Sequence, residues 1–263
     1  MRITLFGLGE AGGLIGADLA AAGCEVHAYD PAPVVTPPNI VRHADPTTAV
    51  ADAHCVMALT AKRDAHAALE QALDAIPASA IYADFSTADP GTKQSLAALA
   101  VTHSIAFVDV ALMSTVPGTG MTTPMLISGD GAVAFKNAFD PLGMELTLVE
   151  GPAGSAALRK LLRSIFVKGL AGLAIESLQA AQKSGLGEWG LQHLGETMAS
   201  SDAAFLKRLV SGTGIHARRR LDEMNAAEDL LKSLEIEPTM TRATVANLQR
   251  VLEQGLPALP SLH

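Results

Sequence analysis

Residues 1–30 read MRITLFGLGEAGGLIGADLAAAGCEVHAYD, and this stretch decides the fold of the amino-terminal half. Residues 3–6 form a short apolar run of β-favouring composition, whereas residues 14–22 are rich in helix formers. Between them lies the glycine turn, Gly7-Leu8-Gly9-Glu10-Ala11-Gly12. A second apolar run, residues 25–29, is followed by Asp30. The order predicts a buried strand, a tight turn, a helix and a second strand that ends at an acid.

The spacing of the three glycines is typical of a dinucleotide-binding site. Gly7 permits the tight turn, Gly9 lets the backbone approach a pyrophosphate, and Gly12 lets the helix pack closely on the sheet. Asp30 stands where a carboxylate accepts the ribose hydroxyls of NAD and repels the 2′-phosphate of NADP. We therefore expect NAD as the cofactor, with NADP as the alternative. Similar turns occur in α/β proteins that bind nothing, and Asp30 would then be an ordinary strand-end residue before Pro31.

The composition is that of an enzyme with a sizeable core. The chain has 263 residues, of which 49% are hydrophobic, and a net charge of −8. It has no basic stripe for nucleic acid, no apolar run long enough to span a bilayer, and no histidines at metal-ligand spacing. Cys24 and Cys55 fall at predicted strands, where a thiol behaves as a small hydrophobe. We expect a cytoplasmic protein without nucleic acid, membrane or metal.

The chain changes character near Gly151. Before it, strands alternate with helical patterns at residues 64–75 and 90–101, which predicts an α/β fold with a doubly wound Rossmann sheet. Further strands are expected at residues 55–59, 80–84, 106–110, 124–128 and 145–149. After it, helices are expected at residues 155–183, 202–210, 215–233 and 239–253. We predict an NAD-binding domain over residues 1–152 and an all-helical substrate and dimerisation domain over residues 153–263.

The helix predicted from residue 155 carries the residues best suited to chemistry. Lys160, Ser164 and Lys168 recur at four-residue spacing and therefore share a face. An ammonium and a hydroxyl together would hold a substrate oxygen. The alternative is that Lys160 and Lys168 are solvated positions on a long amphipathic helix.

Four segments resemble the β-hydroxyacid dehydrogenase family, which includes 3-hydroxyisobutyrate and 6-phosphogluconate dehydrogenases. They are the glycine turn, residues 84–90 (DFSTADP), residues 109–115 (DVALMST) and the helix that holds Lys160. The helical remainder is similar to a branch of 6-phosphogluconate dehydrogenase-like proteins that has a distinctive carboxyl-terminal domain.

The resemblance implies roles for particular residues. Lys160 matches the family's catalytic lysine, which takes the hydroxyl proton as hydride leaves the same carbon for the nicotinamide. Ser164 stands where the family usually has an asparagine, and it would orient the substrate hydroxyl. Thr60 and Ser86 match positions that line the cofactor's ribose and nicotinamide; each is alternatively a loop hydroxyl that caps a turn. The resemblance also implies a homodimer.

The predicted substrate loop departs from the family's pattern. The resemblance places the substrate against Met113, Ser114 and Thr115, where the family usually has Ser-Gly-Gly. Glycines let backbone N–H groups close on a carboxylate, whereas Thr115 and Val116 crowd the loop and Pro117 removes a donor. The loop therefore does not carry over the family's way of holding a carboxylate.

An arginine run, Arg218-Arg219-Arg220, is a candidate for binding an acidic or phosphorylated substrate. Guanidinium groups hold carboxylates and phosphates through two parallel hydrogen bonds, and we assign Arg219 to the substrate. The alternative is surface pairing, Arg218 with Asp222 and Arg219 with Glu223, because these residues lie four apart on one helix.

These residues predict an NAD-dependent oxidoreductase that acts on a hydroxy acid or a related alcohol, with Lys160 as general acid and base. Two other functions stay open: an imine reductase on the same scaffold, and a regulator that binds NAD without turnover. The lysine at position 160 speaks against the imine reductase, because that class looks to have an aspartate or a tyrosine there. A regulator would bind the cofactor tightly and turn over no alcohol.

Overall fold

The computed structural model describes residues 1–258; residues 259–263, the end of the predicted helical domain, lie outside the described residues. Within residues 1–258 the chain forms eight strands and nine α-helices. The strands are β1 (Arg2–Phe6), β2 (Glu25–Tyr29), β3 (Ile40–His43), β4 (Cys55–Ala58), β5 (Ile81–Asp84), β6 (Ala106–Leu112), β7 (Met125–Ser128) and β8 (Leu146–Leu148). The helices are α1 (Glu10–Ala21), α2 (Pro46–Val50), α3 (Ala65–Glu70), α4 (Pro90–Val101), α5 (Ala132–Phe139), α6 (Ser155–Lys183), α7 (Gly187–Ala199), α8 (Ala203–Ser233) and α9 (Thr239–Gln254).

The strands form one sheet in the order β3-β2-β1-β4-β5-β6-β7-β8. Strands β1 to β6 are parallel, β7 runs antiparallel to β6, and β8 is parallel to β7. The chain builds outward from β1 in two directions, with β2 on one side and β4 on the other. This is the doubly wound arrangement, so the predicted α/β class with a Rossmann sheet is confirmed.

The sheet is covered by helices on both faces. Successive residues of β1 face opposite sides of the sheet: Leu5 packs in one cluster with Ile15 of α1, and Phe6 packs in a second cluster with Leu96 of α4. Strand β4 is buried along its whole length. Because both faces are buried, the central strands read as continuous apolar runs rather than as alternating ones.

Three short elements of the first half differ from the sequence prediction. Strand β3 is an addition: Ile40 is its one fully buried residue, so the strand shows no apolar alternation. Helix α2 is another addition, and it begins where Asp45 accepts a hydrogen bond from the Thr48 N–H at 2.9 Å. The helix predicted over residues 64–75 is wrong in extent, because α3 is flanked by two 3-10 turns and the second of these buries Leu73.

The second half is helical, as predicted, with two differences. The helices predicted at residues 202–210 and 215–233 are one helix, α8, which bends at His216 (φ −115°, ψ 22°). Helix α7 is an addition, because its three glycines lower helix propensity and hide it in the sequence. A Cβ on Gly190 would lie 2.7 Å from the Cβ of Ala181, so this glycine lets α7 approach α6 closely.

The chain divides into two compact units, the first Met1–Arg163 and the second beginning at Ser164. The first unit contains the sheet and the start of α6, and the second contains the rest of α6 with α7, α8 and α9. The division therefore falls within α6. The domain boundary expected between residues 152 and 153 stays a prediction.

Candidate functional site

The carboxyl ends of four neighbouring parallel strands, β1, β4, β5 and β6, lie along the same side of the sheet, which is called the carboxyl edge. The last residue of β1 is in register with that of β4, and Asp84 at the end of β5 is in register with Asp109 of β6. The segments that follow these strands carry the glycine turn, Thr60, Ser86 and the loop that begins at Met113. Ligands of doubly wound sheets bind at this edge, so the topology brings the predicted site segments together.

Each glycine of the turn has a distinct surrounding. A Cβ on Gly7, whose φ is +96°, would lie 2.6 Å from the Leu59 carbonyl oxygen. A Cβ on Gly12 would lie 2.0 Å from the Gly7 carbonyl oxygen, so neither position admits a side chain without a backbone shift. Gly9 differs, because apart from its neighbours in the chain no described atom lies within 4 Å of the place where its Cβ would be. The surface at Gly9 is therefore open for the close approach of a ligand.

The amino terminus of α1 presents backbone N–H groups at the same edge. Its N-cap residue is Gly9, which has no side chain to occupy those groups. Of the neighbouring residues Leu8 is buried, Ala11 is half-buried and Glu10 is exposed. Free N–H groups together with the positive end of the helix dipole suit the phosphates of a dinucleotide.

Asp30 is held in place by both of its carboxylate oxygens. The Leu8 N–H donates to Oδ2 at 2.7 Å, and the Ala32 N–H donates to Oδ1 at 2.8 Å. The Arg42 guanidinium braces the following loop, because it donates to the carbonyl oxygens of Asp30, Ala32 and Val34. The charge at the end of β2 is thereby tied to the glycine turn.

The two predicted cofactor hydroxyls have different surroundings. Thr60 Oγ1 is buried and has no hydrogen-bond partner within the described part of the chain. Ser86 is also buried, but its hydroxyl donates to Asp84 Oδ2 at 2.9 Å. A groove of about 510 Å³ is lined by Gly9, Asp30 and Thr60. An unpaired hydroxyl, an open backbone and a fixed carboxylate around one groove fit a dinucleotide.

Lys160 is half-buried in the second turn of α6. Burial lowers the pKa of its ammonium, the cation of Lys93 lowers that pKa further, and the carboxylate of Asp109 opposes both effects. Ser164, four residues further along α6 and in the second unit, is half-buried, whereas Lys168 is exposed. A lysine whose pKa is lowered is more often neutral at a given pH and is therefore a better proton acceptor.

Lys93 is a charged residue at this edge that the sequence reasoning missed. Its Nζ lies 2.9 Å from Asp84 Oδ2 and 3.2 Å from Asp109 Oδ1, and all three side chains are buried. A signal existed in the sequence: Lys93 shares one face of α4 with Leu96 and Ala100, both of which are buried. A lysine on a buried helix face needs a partner, and the two aspartates provide it.

The predicted substrate loop follows β6 directly. Met113 is half-buried, whereas Ser114 and Thr115 are exposed. The next residue, Val116, is buried and anchors the loop in the core. Pro117 lines a cleft together with residues of the glycine turn. The loop therefore lies beside the candidate cofactor site, and the role of its three residues stays a prediction.

The arginine run lies on α8, in the second unit. Arg219 Nε lies 3.6 Å from Glu223 Oε1, and both side chains are exposed, which matches the surface-pair alternative. Arg220 donates to the Leu209 carbonyl oxygen at 3.1 Å, across the bend at His216. The assignment of Arg219 to a substrate stays a prediction.

Among residues 1–258, no group of three or more His, Cys, Asp and Glu side chains is arranged to hold a metal ion. Over the same range, no helix combines the length and the apolar composition that crossing a membrane requires. Cys24 and Cys55 are free thiols, and burial raises the pKa of each.

Comparisons with known proteins match the two halves separately. Residues 2–148 match the family described as the NAD binding domain of 6-phosphogluconate dehydrogenase. Residues 181–251 match a domain of unknown function, DUF1932. An uncharacterized 28.5 kDa protein in the 7S RNA 5′ region of Methanothermus fervidus is 30% identical over 164 residues, which are 62% of this chain and 63% of the relative. The chain thus spans less than two thirds of that curated relative.

Two solved structures show the same fold. A conserved protein of unknown function, described as structurally similar to 3-hydroxyacid dehydrogenases, is 25% identical, with a TM-score of 0.61 over 98% of this chain and 100% of that chain. A reductive aminase from Aspergillus terreus, in complex with NADPH4, cyclohexanone and allyl amine, is 16% identical. Its TM-score is 0.81 over 97% of this chain and 94% of that chain. At this identity the likeness concerns the fold alone.

The family match has a direct bearing on the predicted site. It covers residues 2–148 and therefore includes the glycine turn, Asp30, Thr60 and Ser86. The predicted NAD cofactor and the predicted family resemblance are both confirmed at this level. Since the match covers more than half of the chain, the protein belongs to the family of the NAD binding domain of 6-phosphogluconate dehydrogenase.

Proposed function

We propose that the protein transfers hydride between NAD and a hydroxy acid or a related alcohol, with Lys160 as the general acid and base. The observation that carries the proposal is a half-buried lysine of lowered pKa on α6, whose first turn donates N–H groups to Asp109 of β6. When bound, NAD supplies the hydride acceptor. The protein supplies the binding groups and the proton acceptor.

Each group of the chain has one task in this proposal. Asp30 holds a ribose of the cofactor, and the amino terminus of α1 binds its phosphates. Neutral Lys160 accepts the substrate's hydroxyl proton at Nζ, and its ammonium returns the proton in the reverse reaction. Ser164 orients that hydroxyl. Because only the neutral lysine accepts a proton, the rate of alcohol oxidation rises as the pH rises through the pKa of Lys160. The rate of the reverse reduction falls over the same range.

The first prediction tests Lys160. Lys160→Met removes the proton acceptor but no predicted cofactor contact, so the turnover number should fall about a hundredfold to ten-thousandfold while the Kd for NAD is unchanged. Cofactor reduction is followed against a panel of hydroxy acids, sugar acids and simple alcohols. NAD affinity is measured by fluorescence titration on the same preparations.

A matched control lies on the same helix. Lys168 is exposed, so Lys168→Met changes a lysine of α6 without removing the proposed proton acceptor. It should retain native turnover. Near-native turnover in Lys160→Met would contradict the proposed role and return Lys160 to a solvated helix position. Tight NAD binding by the native protein without turnover on any member of the panel would favour the regulator instead.

Imine reduction is the second candidate, and the fold match with a reductive aminase favours testing it. In that reaction hydride moves from the reduced cofactor to an imine carbon. The test is NADH and NADPH consumption with a cyclic imine and with a ketone plus an amine. If the protein oxidises NADH or NADPH with these substrates but does not reduce NAD with any alcohol, this second candidate replaces the proposal.

The protein is also proposed to act as a homodimer. Large apolar side chains of the second unit are exposed on α6, α7 and α8, among them Phe166, Leu173, Trp189, Leu191 and Ile215. Extended exposed apolar surface on a globular chain is typical of an interface. A second copy of the chain, as the family resemblance implies, would cover it.

A further inference from the structure

Lys93 is the most completely buried ammonium group in the described chain, with 1% of the side chain exposed. It donates to the Asp84 carbonyl oxygen at 2.6 Å and lies between the carboxylates of Asp84 and Asp109. Removing an ion from water costs several kcal/mol, and an apolar residue at such a place is often equally stable. Stability alone therefore does not explain why a lysine occupies this buried position, and its neighbours point to a function.

The cluster is connected to α6 through Asp109. Asp109 Oδ1 faces Lys93, whereas Oδ2 accepts hydrogen bonds from the Gly154 and Ala157 N–H groups, each at 3.0 Å. The Ser128 hydroxyl donates to the same oxygen at 3.1 Å and accepts from the Ala156 N–H at 3.0 Å. A carboxylate at a helix amino terminus satisfies the orphan N–H groups and the dipole. The first turn of α6 is thus fixed to the buried cluster.

Lys160 follows this anchored turn. It is three residues beyond Ala157 and therefore on the same face of α6. Two charged groups from other elements act on its ammonium, Lys93 of α4 and Asp109 of β6, and Asp84 of β5 is paired with Lys93. On α6 itself, Arg159 and Arg163 are exposed.

We propose that Lys93 is a positioning residue for Lys160: it lies 3.2 Å from Asp109 Oδ1, and Asp109 holds the first turn of the helix that carries Lys160. The proposal rests on the proposed function, in which neutral Lys160 accepts the substrate proton. Lys93 touches no substrate; it acts through Asp109 and through the field of its charge. A second cation beside a lysine is a recognised way of making that lysine a base.

The test measures the protonation of Lys160 without turnover. The protein is treated with trace acetic anhydride over a range of pH, and the acetylated fraction of the Lys160 peptide is measured by mass spectrometry. Only a neutral amine reacts, so the pH of half-maximal labelling reports the pKa of Lys160. The main variant combines Lys93→Met with Asp84→Asn, because the single change would leave two buried carboxylates without a counter-ion.

In this double variant the half-maximal pH should rise, because a nearby positive charge is lost. Circular dichroism confirms that the variant is folded. The matched control is Lys136→Met, since Lys136 also donates to a carboxylate and to a carbonyl oxygen, but on α5 and partly exposed. It should leave the Lys160 labelling curve unchanged. An unchanged curve in the folded double variant overturns the proposal.

A third variant predicts the opposite sign. Asp109→Asn keeps an acceptor for the α6 N–H groups but removes the negative charge that favours the Lys160 ammonium, so the half-maximal pH should fall. A rise or no change overturns the proposal even if the double variant does not fold. Because labelling requires no substrate, these results judge Lys93 independently of the proposed function, which Lys160→Met turnover judges separately.

Discussion

Both carboxylate oxygens of Asp30 already accept backbone N–H groups, and this fixes a negative charge at the end of β2. The hydrogen bond from the Leu8 N–H joins that charge to the glycine turn, and Arg42 holds the loop that follows. We expect a carboxylate held by two N–H groups to keep its charge close to the place where the 2′-phosphate of NADP would bind. We expect the preference between the two cofactors to depend on this residue and its hydrogen bonds.

We therefore expect native protein to bind NAD more tightly than NADP. Asp30→Asn keeps an oxygen acceptor for one N–H group but removes the charge. The Kd for NADP divided by the Kd for NAD should therefore fall by about tenfold or more. Isothermal titration with each cofactor measures the ratio. Asp74→Asn is the matched control, because Asp74 is an exposed aspartate of the same unit. Equal or tighter binding of NADP by the native protein would contradict the assignment.

At the scale of elements, the start of α9 is capped from another helix. Glu176 of α6 accepts the N–H groups of Met240 and Thr241, each at 2.8 Å, and the Thr241 hydroxyl at 2.7 Å. Its side chain is buried. Burial acts to raise the pKa of Glu176, but the hydrogen bonds from Thr241 and Met240 outweigh it, so the pKa is lowered. The charged form therefore stabilises the contact between α6 and α9.

Glu176→Gln should lower the free energy of unfolding by about 1–3 kcal/mol at neutral pH, because a charged acceptor of three hydrogen bonds is lost. A carboxyl group whose pKa is lowered by folding contributes stability above its unfolded value, and that contribution is lost as the pH falls through the folded pKa. The native and variant proteins should therefore converge in stability as the pH falls below about 4. Urea unfolding at a series of pH values measures both curves.

The comparison for this experiment is Glu223→Gln, which removes an exposed carboxylate paired with Arg219 on α8. Exposed pairs contribute little, so this variant should follow the native protein at every pH. If the Glu176→Gln difference is the same at all pH values, the charge of Glu176 does not stabilise α9. Glu176 would then act at the start of α9 only as a neutral hydrogen-bond acceptor.

At the scale of the whole molecule, the predictable parts are those with long or repeated signals. The glycine turn, the alternation of strands and helices, and the long helix from residue 155 are all visible in the sequence. Strand β3 is not visible in the sequence, because it is the edge strand of the sheet and its middle residues, Val41 and Arg42, are exposed. Helix α7 is not visible in the sequence, because its glycines are typical of loops. Only its packing on α6 explains Gly187 and Gly190.

The candidate site divides in the same way. Gly7, Gly9, Gly12 and Asp30 follow from local spacing, since backbone approach and charge depend on near neighbours in the chain. The cluster at Lys93 depends on strands that are distant in sequence, because Asp84 and Asp109 meet only through the register of β5 and β6. Spacing along the chain cannot reveal such a pairing, although the burial pattern of α4 marks Lys93 as unusual.

An exposed apolar face of α6 is the proposed contact between two copies of the chain. Phe166 and Leu173 lie seven residues apart on one face of α6 and are 63% and 41% exposed. If a second copy covers this face, light scattering should give twice the chain mass for the native protein. The double variant Phe166→Glu, Leu173→Glu should give the mass of one chain, because burying two unpaired carboxylates costs more than the apolar contact returns.

Val133→Glu is the matched control, since Val133 is also an exposed apolar residue, but on α5 of the first unit. It places the same charge on a surface outside the proposed interface, so it should leave the measured mass unchanged. A native protein of single-chain mass at micromolar concentration would contradict the dimer. An unchanged mass in the double variant would instead move the interface to the exposed side chains of α7 and α8, where Trp189 and Ile215 are the next to replace.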